Sequence, residues 1–497
     1  MRRRRRLVLW IMLVVIAALV AVAARPAVHL IKTAYRDRPT MVPPPAGTVD
    51  DASRLNQTDV AQIVTLADVA GDTFAAQREL AALIGKARRE GLRISIAGAR
   101  HTMGGHTIYP GGIALDMRGF NAMQLDDSGI LRVGAGAMWS EVIEYLDPRG
   151  FSVAIMQSNN AFTVGGSVSA NCHGWQHNRP PIASTVEAFL LLKADGTTVR
   201  CSREKNAELF SLALGGYGLF GVILEVELRV VPNERYRVDR HVMPADAFPA
   251  QFASIAVGAA DAAMAFGRLS VAADAFLEHA ITSVFVRDPA GDGALPPLHE
   301  PGLRSLTRTV FRGSVGSEYG KKLRWDLEKT FGQHLAGRHF SRNQLLNEPV
   351  DYLSRSDATT DIVHEYFVPP EQFTSFLEQL RRIIPEHGGD LLNATVRHVL
   401  ADDDTFLRYA DRELLAIVML FSQERTPEGE AAMEAMTRDL IDASLACEGR
   451  YYLPYRLHAM PEQFHAAYPQ ARAFFELKRK HDPDEIFQNR FYTTYGR

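Results

Sequence analysis

Apolar positions along the first third of the chain switch between two periods. Val60 to Val64 reads as a strand, Leu80, Leu83 and Ile84 recur on one face of a helix over Gln77 to Glu90, and Leu92 to Ile96 extends again. That order is a β-α-β opening. Strands follow at Ile113 to Met117 and Ile130 to Gly134, then a helix from Ser140, its expected N-cap, with Val142, Ile143 and Leu146 at helical spacing. Val186 to Lys193 and Thr198 to Cys201 pair as a hairpin around Asp195 and Gly196, and Gly221 to Val231 forms a long strand ended by Pro232. Beyond Pro232 glycine thins. Helices over Tyr319 to Phe331, Glu371 to Ile384 and Pro427 to Ala446 alternate with strands Ile362 to Val368, Ala394 to Val399 and Leu414 to Phe421. A last helix, Gln470 to His481, stops at Asp482 and Pro483, and its segment is expected to return to the first block.

The N-terminus breaks this pattern. Arg2 to Arg6 precede eighteen apolar residues, Leu7 to Ala24, a membrane-directed signal anchor or a cleaved signal peptide. The arginines are expected to hold that end in the cytoplasm, leaving the body anchored outside the inner membrane, or secreted after cleavage. Residues 26–55, polar and proline-bearing, read as a linker. The 497 residues exceed one ordinary core, so the body divides at the composition shift into 56–235 and 236–469, with 470–497 as the returning segment. A formal net charge of -3, without a basic stripe carrying aromatic platforms, argues against nucleic acid as a partner. Cys172, Cys201 and Cys447 are far apart, fit no metal-ligand spacing, and are expected to be free.

Chemistry concentrates in three glycine-bearing segments. The first is Gly98-Ala99-Arg100-His101-Thr102-Met103-Gly104, directly after a strand, where consecutive backbone N–H groups can wrap a pyrophosphate. The second runs through Gly165, Gly166 and Ser169 to His173 and Gly174. The third holds Gly216, Gly218 and Gly221 and leads into Val222 and Ile223. This third segment spells GxGxxG, yet it precedes a strand rather than opening a helix, which argues against a Rossmann site.

As a set, the three segments resemble the vanillyl-alcohol-oxidase family, whose FAD domain is also named after p-cresol methylhydroxylase. The likeness spans about residues 56–235 and returns in Lys478 to Phe487. It implies an α+β, two-domain flavoprotein with a substrate domain above the flavin. It also implies that the first segment binds the FAD diphosphate, the second packs beside ribityl and isoalloxazine, and the third closes on the adenine side. Arg100-His101-Thr102 is similar to the arginine, histidine and serine of sugar-lactone and alditol oxidases, whose histidine is bonded to the flavin 8-methyl carbon. His101 is therefore the candidate for a covalent link, with His106 as the alternative. His173-Gly174 matches the family's flavin neighbour, while Cys172 lies away from the position of a second link.

In the second domain, Glu365-Tyr366-Phe367-Val368-Pro369 looks like a substrate-facing strand of the sugar oxidases, and Thr395-Val396-Arg397 like their Glu-x-Arg strand. Thr395 replaces the glutamate. Arg397 is retained, a cation suited to the reduced flavin and a polar substrate. The region around Tyr455 and Arg456 is similar to decaprenylphosphoryl-ribose 2-oxidases, without their lysine. Glu365, Arg397 and Tyr455 are the catalytic candidates. The resemblance implies oxidation of a CH–OH group on a small sugar, sugar lactone or related alcohol, with oxygen or a quinone as acceptor. Two alternatives stand beside it: reduction of a carbon-carbon double bond in a lipid-like substrate, and a tethered flavin protein without turnover.

Overall fold

A computed structural model of the protein describes residues 10, 12, 24–66, 71–288, 295–299, 302–332, 334 and 336–496. The β-α-β opening is present as strand Gln62–Thr65, helix Thr73–Glu90 and strand Ile94–Ala97. The helix starts earlier than its apolar pattern because Asp72 caps it, accepting from the Ala75 N–H at 2.9 Å. Gly91, at φ 68°, ends it. Its buried face, Ala76, Leu80, Ile84 and Ala87, packs on the sheet side. Both strands run parallel to Ile113–Asp116, which lies between them.

A second, antiparallel sheet is ordered Thr198–Ser202, Val186–Leu192, Val222–Pro232, Ile130–Gly134, Met123–Leu125. The expected hairpin closes on Asp195, whose carboxylate accepts from the Thr197 N–H and hydroxyl. One expectation is corrected here. Ser140 is not the cap of its helix: the helix is Trp139–Leu146, with Met138 at the cap donating its N–H to Glu141 at 2.7 Å. The Ser140 N–H instead bonds the Asn160 carbonyl.

Across Asn233 and Glu234 the chain changes sheets. Eight antiparallel strands follow in the order His339–Ser341, Arg235–Pro244, His279–Arg287, Ala262–Leu269, Asp390–Val399, Leu414–Glu424, Thr359–Val368, Arg450–Tyr451. Helices Phe373–Glu386 and Pro427–Ala446 pack on each other, and the second lies against strands Leu414–Glu424 and Thr359–Val368. Polar residues on the opposite face of the sheet meet the first domain.

Both flanks of the body are tied in. Residues 24–36, inside or beside the segment read as a linker, are helical, and Asp37 pairs with Arg308 at 2.7 Å. Asp51 is buried and accepts from the Gly105 N–H at 2.8 Å. Apart from Trp10, Met12 and Ala24, the apolar run Leu7 to Ala24 lies outside the described residues. Among the described residues no helix is long and apolar enough to cross a membrane. The three cysteines are free and buried.

The C-terminal segment packs against the strand Ile94–Ala97. Helix Ala471–His481 ends at Asp482, which pairs with Lys478 in full burial and accepts from the Ile486 and Phe487 N–H groups. Ile94 then donates to Ile486 at 2.7 Å and accepts from Gln488 at 3.0 Å, so this segment docks where the strand Ile94–Ala97 begins. Burial pulls the Lys478 ammonium below its ordinary range and Asp482 opposes that pull. Asp482→Ala strands a buried ammonium and two N–H groups, and is expected to cost about 3–5 kcal/mol, read by urea denaturation. Wild-type stability in that variant would show that the pair does not hold the segment.

Candidate active site

The three glycine-bearing segments converge. Gly98 sits so close to Thr163 that a Cβ there would lie 1.9 Å from the threonine Oγ1. Thr163 in turn caps the short helix Val164–Ser169. The third segment bonds the end of that helix: Gly215 N–H to the Val168 carbonyl at 3.1 Å, Tyr217 N–H to the Ser169 carbonyl at 3.0 Å. The Gly218 backbone closes the ring against Ile96, in the strand that feeds the first segment. Gly221 then enters strand Val222–Pro232, where Val222 and Ile223 pair with Leu192 and Leu191 in the core. The GxGxxG therefore ends in a strand, as its position implied.

Between them lies a cradle of bare main chain. The N–H groups of Gly98, Ala99, Arg100, His101 and Thr102, and that of Gly104, have no acceptor among the described residues. Arg100 holds a left-handed φ of 57° within this run. Arg100 Nη1 and Thr102 Oγ1 are buried without partners. Six unpaired N–H groups, a guanidinium and a hydroxyl suit a diphosphate, which supplies acceptors and negative charge. Met103 faces elsewhere, giving its N–H to Pro454 at 2.9 Å.

His101 stacks on Phe162 with ring centroids 3.9 Å apart and donates Nε2–H to the Ala161 carbonyl at 2.7 Å. Burial lowers its pKa, and the Ala161 bond opposes this only in part. The neutral ring with Nε2 protonated keeps its lone pair on Nδ1, which has no partner among the described residues. The ring borders a cavity of about 550 Å³ together with Arg54, Arg100, Asp116 and Arg308. His106 is walled in by Tyr217 and Phe491, and burial pushes it down to about 3, a neutral core ring. Cys172 points its thiol at Gln157, and burial pushes it up to about 12, so it is no nucleophile.

The second cluster lies where the second segment meets the eight-stranded sheet. His173 Nε2 is 2.5 Å from Glu365 Oε1, and the Tyr455 hydroxyl donates to Glu365 Oε2 at 3.2 Å. Arg397 reaches across to the Ser158 hydroxyl at 2.7 Å and the His173 carbonyl at 3.4 Å. Burial alone would raise the Glu365 carboxyl, but His173, Arg397 and Tyr455 together hold it below its usual range. Tyr455 is pushed far above the ordinary phenol value by burial and by Glu365. Glu365 thus stays an anion and Tyr455 a donor. Gly174 lies against the Met156 carbonyl, which leaves no room for a side chain and fixes His173 in place.

All three catalytic candidates from the sequence meet here. Arg456 does not: it is spent on Glu430 and the Met103 carbonyl. Ser158, which bonds Arg397, and Tyr352, which acts on Tyr455, also border this region and, like Arg268 on the eight-stranded sheet, were not singled out by sequence. The signal available for Arg268 was the two-residue period of strand Ala262–Leu269, which marks Phe266 and Arg268 as sharing one face.

Residues 73–202 match a family model described as an FAD binding domain. L-gulonolactone oxidase of Mus musculus is 30% identical over 158 residues, 31% of this chain and 35% of that protein. Decaprenylphosphoryl-beta-D-ribose oxidase of Mycolicibacterium smegmatis is 29% identical over 154 residues, 30% of this chain and 34% of that protein. Mitochondrial L-galactono-1,4-lactone dehydrogenase 1 of Oryza sativa subsp. japonica is 30% identical over 151 residues, 29% of this chain and 26% of that protein. The matches thus span about a third or less of these relatives' length. The chain carries an FAD binding domain of the p-cresol-methylhydroxylase type and is related through it to FAD oxidoreductases.

The Gly98 contact gives a test. Gly98→Ala forces loop and helix apart at a cost of about 1–3 kcal/mol. FAD retention, measured as visible absorbance per protein after desalting, is expected to fall about tenfold. Full retention would show that the contact does not shape the cradle.

Proposed function

We propose that this chain, whose residues 73–202 are an FAD binding domain, oxidises a CH–OH group of a sugar, sugar lactone or related alcohol, with oxygen or a quinone as final acceptor. The observation that carries this reading is the Glu365 carboxylate, held ionised by His173, Arg397 and Tyr455 where the two domains meet. The similarity to L-gulonolactone oxidase and to L-galactono-1,4-lactone dehydrogenase supports the substrate class. When bound, FAD supplies the acceptor for the hydride that leaves the alcohol carbon.

The chain's own residues do the rest. The N–H groups of residues 98–102 and the Arg100 guanidinium hold the diphosphate. Arg397 orients the substrate oxygen and offsets negative charge that develops beside it. Glu365 takes the hydroxyl proton as the carbon becomes a carbonyl, and His173 and Tyr455 fix the direction of its oxygens. Tyr455 itself is too weak an acid to serve as the base. His101 is the attachment point for the flavin through its free Nδ1. The apolar run Leu7 to Ala24 tethers the body to the inner membrane on its outer side.

Glu365→Gln keeps the shape and removes the base. Flavin bleaching by polyols and aldonolactones without oxygen is expected to slow about 10²–10⁴-fold at unchanged FAD content. Bleaching at the wild-type rate would refute the assignment. Because Glu365 is held low, the acid limb of kcat/KM falls below the ordinary carboxylate range. Tyr455→Phe removes a donor that holds it there, so that limb moves to higher pH. For His101, acid precipitation of wild type is expected to leave yellow colour in the pellet, and His101→Ala to release it. Release from wild type would exclude the bond.

A further inference from the structure

The face of the eight-stranded sheet that bears Glu365 carries a second cation. Residues directly opposite on neighbouring strands share a face. Glu365 stands opposite Val418, Val418 opposite Thr395, and Thr395 opposite Arg268. One row across four strands therefore runs from the carboxylate to a guanidinium. Its span is about 14 Å, three strand spacings. Arg397, two residues from Thr395, lies on the same face and diagonal to Arg268, within reach of long side chains.

Arg268 is only partly engaged. Nη1 bonds Asn393 Oδ1, Nε lies 3.4 Å from Glu328, and Nη2 makes no hydrogen bond among the described residues. Glu328 already faces Arg240 and Arg324 as well, so three guanidiniums surround one carboxylate. Arg324 has bonds on all three nitrogens, to Glu328, the Leu392 carbonyl and Asn393. The surplus of positive charge falls on the other two. Arg397 Nε is buried without a partner.

Burial raises the Glu348 carboxyl, and Arg268 opposes that shift. After burial, Glu348 raises the Tyr352 hydroxyl and Arg397 and Arg268 lower it, so these charges act on one group. Thr395, in the middle of the row, carries no charge, so Glu328 and Glu348 are the carboxylates that act on Arg268, with Glu328 shared among three guanidiniums.

We infer that Arg268 is a second substrate anchor and that the natural substrate carries an anionic group, a carboxylate or a phosphate, at the end remote from the CH–OH that Glu365 deprotonates. The inference rests on the alcohol-oxidation reading above. The test titrates full-chain holoprotein with D-gluconate, D-glucose 6-phosphate and neutral D-sorbitol, following perturbation of the visible flavin spectrum without oxygen. At low salt one of the anions is expected to bind about tenfold or more tighter than sorbitol, and which one does so separates carboxylate from phosphate. Arg268→Gln is expected to erase that preference at unchanged FAD content, and Arg268→Lys to keep part of it. Equal binding of anions and sorbitol, no perturbation by either anion, or a preference that survives Arg268→Gln would overturn the inference. Anion binding that depends on Arg268, with no compound of the panel bleaching the flavin, would sink the oxidation reading and leave the anion site standing.

Discussion

The approach of the bare main chain at Gly98 to the Thr163 side chain sets the rest of the structure. With no side chain at residue 98, the loop leaving the parallel sheet lies against the cap of the helix Val164–Ser169, and its N–H groups turn away from protein acceptors. Six unpaired N–H groups are costly to leave dry. An anion with many lone pairs offsets that cost, so the loop's cofactor preference follows from its hydrogen-bond deficit. The third segment bonds the other end of the same helix and makes the cradle continuous.

The second joint is electrostatic. Glu365 belongs to the eight-stranded sheet and His173 to the FAD-binding side, and their contact at 2.5 Å fixes where the two domains face each other. Arg397 adds a second tie through Ser158 and the His173 carbonyl. A buried carboxylate shared in this way is poorly solvated and well oriented, the condition under which a small change in a bound hydroxyl's charge is strongly felt.

Much of this was legible in the sequence, and for definable reasons. Long periodic elements, such as the helix Pro427–Ala446 and the strand Leu414–Glu424, showed because their apolar spacing is set by burial on one side. The glycine segments showed because close backbone approach admits few other residues. Glu365, Arg397 and Tyr455 were singled out through family likeness, while the row that links Arg268 to Glu365 lies in cross-strand register, which a linear chain does not display. Ser140 misled for a local reason: it has the right chemistry for a cap, but Asn160 claims its N–H and Glu141 serves the turn. The segment 26–55 looked structureless because its ties, Asp37 to Arg308 and Asp51 to Gly105, are polar and distant in sequence.

The docking of residues 486–490 has a temporal side. Arg490 bonds Thr58, 432 positions earlier, and Asn489 bonds Tyr217, 272 positions earlier. Ile486 and Gln488 secure the beginning of the strand that launches the first glycine segment. The nucleotide pocket is therefore complete only once residues 486–490 have docked, and pairings so remote form slowly. Loading with flavin waits on that docking, and damage near residue 490 acts as a cofactor defect although it is remote from the reacting atoms.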